Sequence, residues 1–143
     1  MTALLAGLAL VLTASTLSSA TPNLRPNVGS GYSIWGNAIP ANPAVTATGP
    51  RELGTVFTTS QRGYAVKLRF YKAGTNTGTH IGRLWTAGGQ LLASQSYSGE
   101  SGSGWQEVTL RRPIALSAGT TYIVSYTSDG HWAQDDGYFA NLP

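Results

Sequence analysis

The sequence predicts an all-β protein: a single-domain antiparallel β-sandwich, of either the jelly-roll or the immunoglobulin-like kind. Only 10% of its 143 residues are charged, against about 25% in an average domain, which excludes a helical bundle with charged faces. About a third of the chain is Gly, Ser or Thr, a composition typical of strands joined by tight turns. Strand-like segments recur about every 8 to 12 residues, which is the spacing of sandwiches and barrels.

The first segment, residues 1–20, is predicted to be a signal peptide. Its apolar run from Ala3 to Leu12 is too short to span a bilayer, and the small residues up to Ala20 offer a cleavage site. No basic residue precedes the run, which departs from the usual pattern, and a buried apolar helix is the alternative. The signal predicts a secreted or cell-surface protein with no stable membrane insertion after cleavage.

The remaining chain is divided into a linker over residues 21–31 and a sandwich over residues 32–143. Three prolines predict an extended loop over residues 37–50. Alternating apolar and polar residues, punctuated by Gly and Pro, predict strands on either side of it. The predicted strands cover residues 32–35, 52–59, 64–72, 80–86, 91–97, 105–110 and 122–127.

Two of these strands have clear faces, and one turn has a recognisable corner. Between residues 64 and 72 the alternation places Val66, Leu68 and Phe70 on one face and Lys67, Arg69 and Tyr71 on the other. In the strand that begins at Trp105, the side chains of Gln106, Val108 and Leu110 lie opposite those of Trp105, Glu107 and Thr109. Tyr122 follows a Gly turn and opens a strand, which predicts a tyrosine corner whose hydroxyl bonds to upstream backbone.

Catalytic groups are scarce, and the chain is predicted not to be an enzyme. It has no Cys, two His and six acidic residues. The stretch nearest a serine-hydrolase elbow, residues 99–103, lacks the last Gly and a following helix. A small hydrolase would need His80 and His131 to converge with an Asp or Glu, and a glycosidase would need a facing pair such as Glu100 and Glu107.

Cofactors and nucleic acid are not expected. The net charge of +3 is scattered, whereas nucleic-acid binding takes a clustered basic stripe. The best candidate for a metal is a calcium site built from Asp129, Asp135 and Asp136, because carboxylates and carbonyls suit Ca²⁺. A polar, solvated loop is the alternative interpretation of those residues.

Aromatic residues exceed what a core of this size needs: the chain has four Trp and seven Tyr. An aromatic plane packs against the apolar face of a pyranose while polar side chains bind its hydroxyls. The alternative for any one Trp is a place in the core. The candidate ligand-binding residues are Arg69, Tyr71, His80, Trp85, Trp105 and Trp132.

The chain from Ser33 to Tyr138 resembles the bacterial extracellular family of domain of unknown function 4082. The blocks that carry the resemblance are specific only when taken together. They are Ser33-Ile34-Trp35, Leu68-Arg69-Phe70-Tyr71-Lys72, Asn76-Thr77-Gly78-Thr79-His80, Leu84-Trp85-Thr86, Ser103-Gly104-Trp105-Gln106, Ala118-Gly119-Thr120-Thr121-Tyr122 and Gly137-Tyr138-Phe139.

The resemblance implies a secreted all-β domain, found alone or beside neighbouring modules of longer exported proteins. Because the family's activity is not established, it transfers no catalytic residue. It implies that the turn before His80 fixes a loop, with His80 satisfying backbone groups there. The family pattern runs on past Tyr138, so the sandwich is expected to lack its last strand or strands, leaving an open edge and a tendency to self-associate.

Together these observations predict a secreted, non-catalytic module that binds glycan or another cell-surface polymer. The alternative is a structural spacer or adhesion domain in a larger surface protein, whose aromatics all lie in the core. A small hydrolase is the third hypothesis. The exposure of the four tryptophans distinguishes the first two.

Overall fold

The computed structural model describes the backbone of residues 8–13 and all of residues 31–138. Every regular element in these ranges is a strand, and none of the described residues forms a helix long and apolar enough to cross a membrane. The strands are β1 (Leu8–Thr13), β2 (Tyr32–Ser33), β3 (Asn42–Thr46), β4 (Arg51–Thr58), β5 (Gly63–Lys72), β6 (Ile81–Thr86), β7 (Leu91–Ser96), β8 (Gly104–Leu116), β9 (Thr121–Ser128) and β10 (His131–Gln134).

Two four-stranded antiparallel sheets form the sandwich predicted from the sequence. One has the order β2-β1-β5-β8 and the other the order β4-β9-β6-β7, with β3 and β10 paired beside them. Four of the five connections from β4 to β9 cross from one sheet to the other, which is the interleaved path used by double Greek-key sandwiches. The two sheets therefore have inner faces that pack together and outer faces that point away from the core.

The core lies between the sheets and is centred on an aromatic cluster. The Phe70 ring stacks on Tyr126 at a centroid distance of 4.4 Å and meets Tyr97 edge-on at 4.8 Å. These rings have offset or edge-to-face arrangements, which aromatic quadrupoles favour. The other fully or nearly fully buried apolar members include Ala65, Leu68, Leu84, Leu116 and Val124.

One local turn is fixed by a glycine, and the predicted tyrosine corner is confirmed. The hairpin between β6 and β7 turns at Gly89, whose φ of 86° lies in the region that favours glycine. The backbone N–H of Ser117 donates to the Tyr122 hydroxyl at 3.0 Å, so the tyrosine corner has the predicted bond to upstream backbone.

Three strands differ from the prediction: β3 and β10 were not predicted, and β8 is longer than expected. The predicted proline-rich loop contains β3, where Asn42–Thr46 pairs with β10, an edge ribbon in which Pro43 is tolerated. β10 itself, His131–Gln134, was not predicted because its four residues show too little alternation. β8 continues to Leu116 through a bulge that proline and two arginines concealed in the sequence.

The N-terminal segment is described only in part. Leu8–Thr13 pairs antiparallel with β5, from Leu8 opposite Phe70 to Thr13 opposite Tyr64. Residues 1–7 and 14–30 lie outside the described residues, and the second range includes Ala20 of the predicted cleavage site. The signal peptide over residues 1–20 and the linker over residues 21–31 therefore stay predictions.

Candidate functional site

The six candidate ligand-binding residues do not converge on one place. His80 and Trp132 are buried in the core, with 0% and 4% of their surface exposed. Arg69, Tyr71 and Trp105 lie together on the outer face of β5 and β8. Trp85 lies on the outer face of the other sheet. The structure therefore offers two aromatic surfaces to compare, one on each side of the sandwich.

The first surface is organised around a buried guanidinium. Arg69 is 6% exposed, and its Nη1 donates to Gly36 O at 2.9 Å and to Ser33 Oγ at 3.2 Å, while Nη2 donates to Asn37 Oδ1 at 3.2 Å. Its Nε lies 2.8 Å from a carboxylate oxygen of Glu107. The planar fork of arginine suits this many simultaneous partners. Arg69 thus ties the segment that follows β2 to the outer face of the sheet.

That segment covers the tryptophan beside it. The Arg69 guanidinium lies 4.7 Å from the centroid of the Trp105 ring, and Tyr71 meets that ring edge-on at 5.5 Å. The Trp105 indole N–H donates to Ala38 O at 3.0 Å, and Trp35 packs against Trp105 in a small second core. Trp105 and Tyr71 remain partly exposed, but a cation and a loop already occupy the faces that a sugar would use.

A second buried polar cluster holds His80. Its Nδ1 lies 2.9 and 2.8 Å from the two carboxylate oxygens of Glu100, and Lys72 Nζ lies 2.9 Å from Glu100 Oε2. The prediction that His80 satisfies backbone groups is wrong about its partner, which is a side-chain carboxylate brought in by the loop after β7. Because this cluster is almost wholly enclosed, it joins that loop to β5 and does not present His80 to a ligand.

Several polar atoms around this cluster have no hydrogen-bond partner. They include His80 Nε2, Asn76 Nδ2 and the hydroxyls of Tyr97 and Tyr126. Burial raises the pKa of both phenols well above 10.0, with the charge of Glu100 adding to the rise at Tyr97. A Cβ on Gly82 would lie only 2.9 Å from the Tyr97 hydroxyl, so the interior is closed here and offers no ligand cavity.

The second aromatic surface, the Trp85 face, is the outer face of the β4-β9-β6-β7 sheet. The strand register places Val56, Ile123, Trp85 and Leu91 in one row across all four strands. Val56 is 62% and Leu91 47% exposed. Neighbouring strands are about 4.8 Å apart, so the row extends roughly 14 Å across the sheet. None of the described residues places a ring or a guanidinium against Trp85.

A polar network lies directly beside this apolar row. The Trp85 indole N–H donates to Ser125 Oγ at 2.8 Å, and the Ser125 hydroxyl donates to Glu52 Oε1 at 2.6 Å. The other oxygen, Glu52 Oε2, accepts from Arg83 Nη1 at 2.6 Å. Gly54 pairs with Ser125 and adds no side chain, and a Cβ there would lie only 3.0 Å from Val124 O, so the two strands approach closely at this point. The network fixes the Trp85 ring while its charged groups stay partly exposed.

This arrangement has the parts that sugar recognition needs. An anchored, partly exposed indole offers a plane for stacking, and the adjoining carboxylate and guanidinium offer acceptors and donors for hydroxyls. The apolar row of Val56, Ile123, Trp85 and Leu91 crosses all four strands beside this network. No chemical step is implied, because stacking and hydrogen bonding suffice for binding.

The three aspartates proposed for calcium have other partners. Asp129 accepts from Thr77 N and from His131, Asp135 accepts from Ala41 N, and Asp136 accepts from the side-chain amides of Asn42 and Gln134. Within residues 31–138, no three His, Asp or Glu side chains lie close enough together to hold a metal ion. The carboxylates fasten the β3–β10 ribbon and the turn before β10.

The groups considered for catalysis are also engaged elsewhere. Glu100 bonds to His80 inside the sandwich, whereas Glu107 pairs with Arg69 on an outer face. His131 Nδ1 lies 3.0 Å from Asp129, but the nearby Ser128 hydroxyl bonds to backbone groups of the same turn. The structure thus pairs these residues with structural partners.

Sequence reasoning missed most of the Trp85 face. Glu52, Arg83, Ser125 and the exposed Val56 were not among the candidates. A usable signal was present, because Arg83 and Trp85 stand two residues apart and must share a face once Leu84 points inward. The cross-strand partners Glu52 and Ser125 depend on the pairing of β4 with β9 and of β9 with β6, which single-strand alternation does not reveal.

Comparison with known proteins gives a family and no function. A family model described as Domain of unknown function (DUF4082) matches residues 37–142. No curated protein matches the chain. No solved structure matches it either. The match covers almost three quarters of the sequence and includes Arg69, Trp85 and Trp105. The chain therefore belongs to the domain-of-unknown-function family 4082.

Proposed function

We propose that this domain is a non-catalytic carbohydrate-binding module of an exported protein, and that it binds polysaccharide or cell-surface glycan on the Trp85 face. The observation that carries the proposal is the row of exposed apolar side chains around Trp85 beside the Glu52–Arg83 ion pair. Trp105, the other partly exposed tryptophan, already has a guanidinium on its ring.

The binding would combine a stacking surface with directed hydrogen bonds. A pyranose lying on the Trp85 indole would cover its apolar face, while Glu52 and Arg83 would bind hydroxyl groups at its edge. Val56 and Leu91 would extend the apolar contact to sugars on either side. The strands hold these groups in place before binding, so little conformational entropy is lost.

The absence of chemistry is part of the proposal. His80, one of two histidines in the chain, is fully buried, and the carboxylates of Glu100 and Glu107 are engaged in different clusters. In the network beside the Trp85 ring, the charged groups are Glu52 and Arg83, and they pair with each other. Calcium is not required by this mode of binding. Export and neighbouring modules, as the sequence predicts, would bring the domain to its polymer.

A glycan array together with pull-down on insoluble polysaccharides tests the proposal. The full chain should bind at least one polymer, and Trp85→Ala should weaken that binding at least about tenfold. Arg83→Ala should weaken it less, because it removes hydroxyl contacts and leaves the plane. Tyr32→Ala, at an aromatic residue that is 67% exposed away from this face, is the matched control and should bind as the unmodified chain does.

The alternative is a spacer or adhesion domain, and one observation favours it. Trp35 and Trp132 are 7% and 4% exposed, so half of the tryptophans belong to cores. A chain that melts cooperatively yet binds no glycan or polysaccharide in the panel would replace the binding proposal with this one. Equal binding by Trp85→Ala and the unmodified chain would move the site away from the Trp85 face.

A further inference from the structure

A groove runs between the two sheets along one side of the sandwich, away from the Trp85 face. β7 is the outer strand of one sheet and β8 the outer strand of the other, and they are not paired with each other. The groove between them has a volume of about 200 Å³. Its lining is partly apolar and contains no acidic residue. The lining residues are Leu92, Ala93, Ser94, Gln95, Leu110, Arg111, Arg112 and Ile114.

The β7 edge presents an unprotected backbone ladder to this groove. Tyr97 directly follows β7, and its N–H donates to His80 O. This bond shows which residues of β7 direct their backbone N–H and C=O groups towards β6. Because bonding alternates along an antiparallel pair, the N–H and C=O groups of Ser94 and Ser96 point to the free edge. Leu91–Ser96 contains no Pro and no charged residue, although natural edge strands usually carry such protection.

The opposite wall concentrates positive charge. Thr109 pairs with Lys67 and Ile114 with Ala65, so the four residues between them, Leu110 to Pro113, bulge from β8 opposite one residue of β5. Arg111 and Arg112 are exposed on this bulge. Within residues 31–138 neither arginine forms an ion pair, whereas Lys67, Arg69, Lys72 and Arg83 each pair with a glutamate.

We propose that this groove binds an extended acidic peptide segment of a partner protein, which adds to β7 as a further strand. Backbone hydrogen bonds to Ser94 and Ser96 would give the segment its register. Its carboxylates would pair with Arg111 and Arg112, and its apolar side chains would pack on Leu92 and Ile114. A peptide fits this site better than a sugar polymer because only a peptide completes the unpaired backbone ladder.

The first experiment uses the full chain and a labelled octapeptide of alternating Glu and Val, blocked at both ends, followed by fluorescence anisotropy. Arg111→Ala/Arg112→Ala should weaken binding at least about tenfold and flatten its dependence on salt. Arg62→Ala removes an exposed arginine elsewhere and should change binding less than about twofold. Trp85→Ala should leave peptide binding unchanged, which separates this proposal from the glycan proposal.

The second experiment tests the backbone ladder itself. An octapeptide methylated on alternate amide nitrogens keeps its charge but cannot pair with β7, and it should bind at least about tenfold more weakly. Ser94→Pro removes a donor from the free edge and should have the same effect, whereas Ser94→Ala should not. Circular dichroism and the melting temperature show that each variant is folded.

The proposal is overturned if the octapeptide does not bind, or if a Lys-Val octapeptide binds equally well. Unchanged affinity of the methylated peptide, with full competition by polygalacturonate, would show a site for anionic polymers in place of a strand acceptor. Dimerisation that Ser94→Pro abolishes, in the absence of peptide binding, would show that the edge pairs with a second copy of this chain.

Discussion

Arg69 and Arg83 both project from the outer face of a sheet beside a tryptophan and a glutamate, but a loop covers only the first. Arg69 bonds to Ser33 at the end of β2 and to Gly36 and Asn37 in the segment that follows, and it lies on the Trp105 ring. Arg83 bonds to Glu52, and the Trp85 ring beside it has no such cover. The same residue types thus build a structural clamp on one face and leave an uncovered aromatic surface on the other.

An outward-facing aromatic residue is therefore a candidate for binding only if the protein does not already cover its ring. Both indole N–H groups are anchored, Trp105 to a backbone carbonyl and Trp85 to Ser125. Anchoring therefore does not distinguish them. What does distinguish them is whether another side chain of the protein covers the face of the indole ring.

The largest expected effect is on stability at the covered face. Arg69→Ala removes charged hydrogen bonds to the loop and the contact with Trp105, so the free energy of unfolding should fall by about 2–4 kcal/mol. Arg83→Ala removes one partly exposed ion pair and should cost less than about 1 kcal/mol. Urea unfolding measures both. Arg69→Lys should recover only part of the loss, because an ammonium cannot reproduce the fork.

Equal losses for Arg69→Ala and Arg83→Ala would contradict the proposed difference between the two faces. They would mean that the loop after β2 is held by other contacts and that the two faces are energetically alike. A loss confined to Arg83→Ala would reverse the assignment of clamp and binding surface.

The next effect concerns the tryptophans on the two faces. Trp105→Ala should lower the free energy of unfolding by about 2–3 kcal/mol because it empties part of the second core, and Trp85→Ala by about 1 kcal/mol. Acrylamide quenching of fluorescence should fall most in Trp85→Phe, since that change removes a partly exposed indole whose ring faces no ring or guanidinium among the described residues. If quenching falls equally in Trp35→Phe, which removes a buried indole, the Trp85 face is not open and the spacer interpretation gains.

The sequence predicted the sandwich because its strands are long and alternate regularly. Residues 68 to 70 show it best, since Leu68 and Phe70 are fully buried as their parity requires. The prediction was wrong for Val66, because the bulge in the pairing with β8 buries Ala65 and leaves Val66 only half-buried. It predicted the tyrosine corner because that motif is local. It missed β3 because proline usually excludes a strand, and the edge position that tolerates Pro43 depends on pairing with β10.

The site was harder to predict because each surface depends on contacts distant in sequence. Parity correctly placed Arg69 on an outer face but could not show that residues 33–37 would fold over it. It could not show that Glu100 reaches inward to His80 either, since the loop after β7 has no period. Trp85 was a candidate for its residue type alone, whereas its partners Glu52 and Ser125 are 33 and 40 residues away along the chain.

A smaller effect tests the core that lies between the two faces. The hydroxyls of Tyr97 and Tyr126 are buried without partners, so Tyr97→Phe or Tyr126→Phe should leave stability at pH 7 unchanged or raise it by up to about 1 kcal/mol. Burial raises the pKa of both phenols in the folded protein above 10.0. The unfolded chain therefore loses these protons first, and stability falls as the pH rises past 10.

Urea unfolding of Tyr97→Phe between pH 8 and about 11 should consequently show a weaker alkaline loss than the unmodified chain. Tyr32→Phe is the matched control, because that exposed phenol belongs to neither the core nor the Trp85 face. A decrease in stability of Tyr97→Phe at pH 7 would show that its hydroxyl has a hydrogen-bond partner. It would contradict the description of the interior around Gly82 as closed.

The smallest expected effect on stability concerns Asp129, in the turn before β10, which contacts the loop that precedes His80. Burial alone would raise the pKa of Asp129, but hydrogen bonds from His131 and Thr77, with the charge of His131, lower it below its ordinary 3.8. Because the folded pKa is the lower one, the stabilisation is complete above the unfolded value and disappears as the pH falls through the folded value. Asp129→Asn should therefore lower the melting temperature slightly at pH 6 and leave it equal to that of the unmodified chain near pH 2.

Asp136→Asn is the control, because it removes a surface carboxylate whose partners are side-chain amides. A difference between Asp129→Asn and the unmodified chain that persists unchanged to pH 2 would show that the carboxylate charge is not what stabilises the turn. The turn before β10 would then depend on the shape of the loop alone.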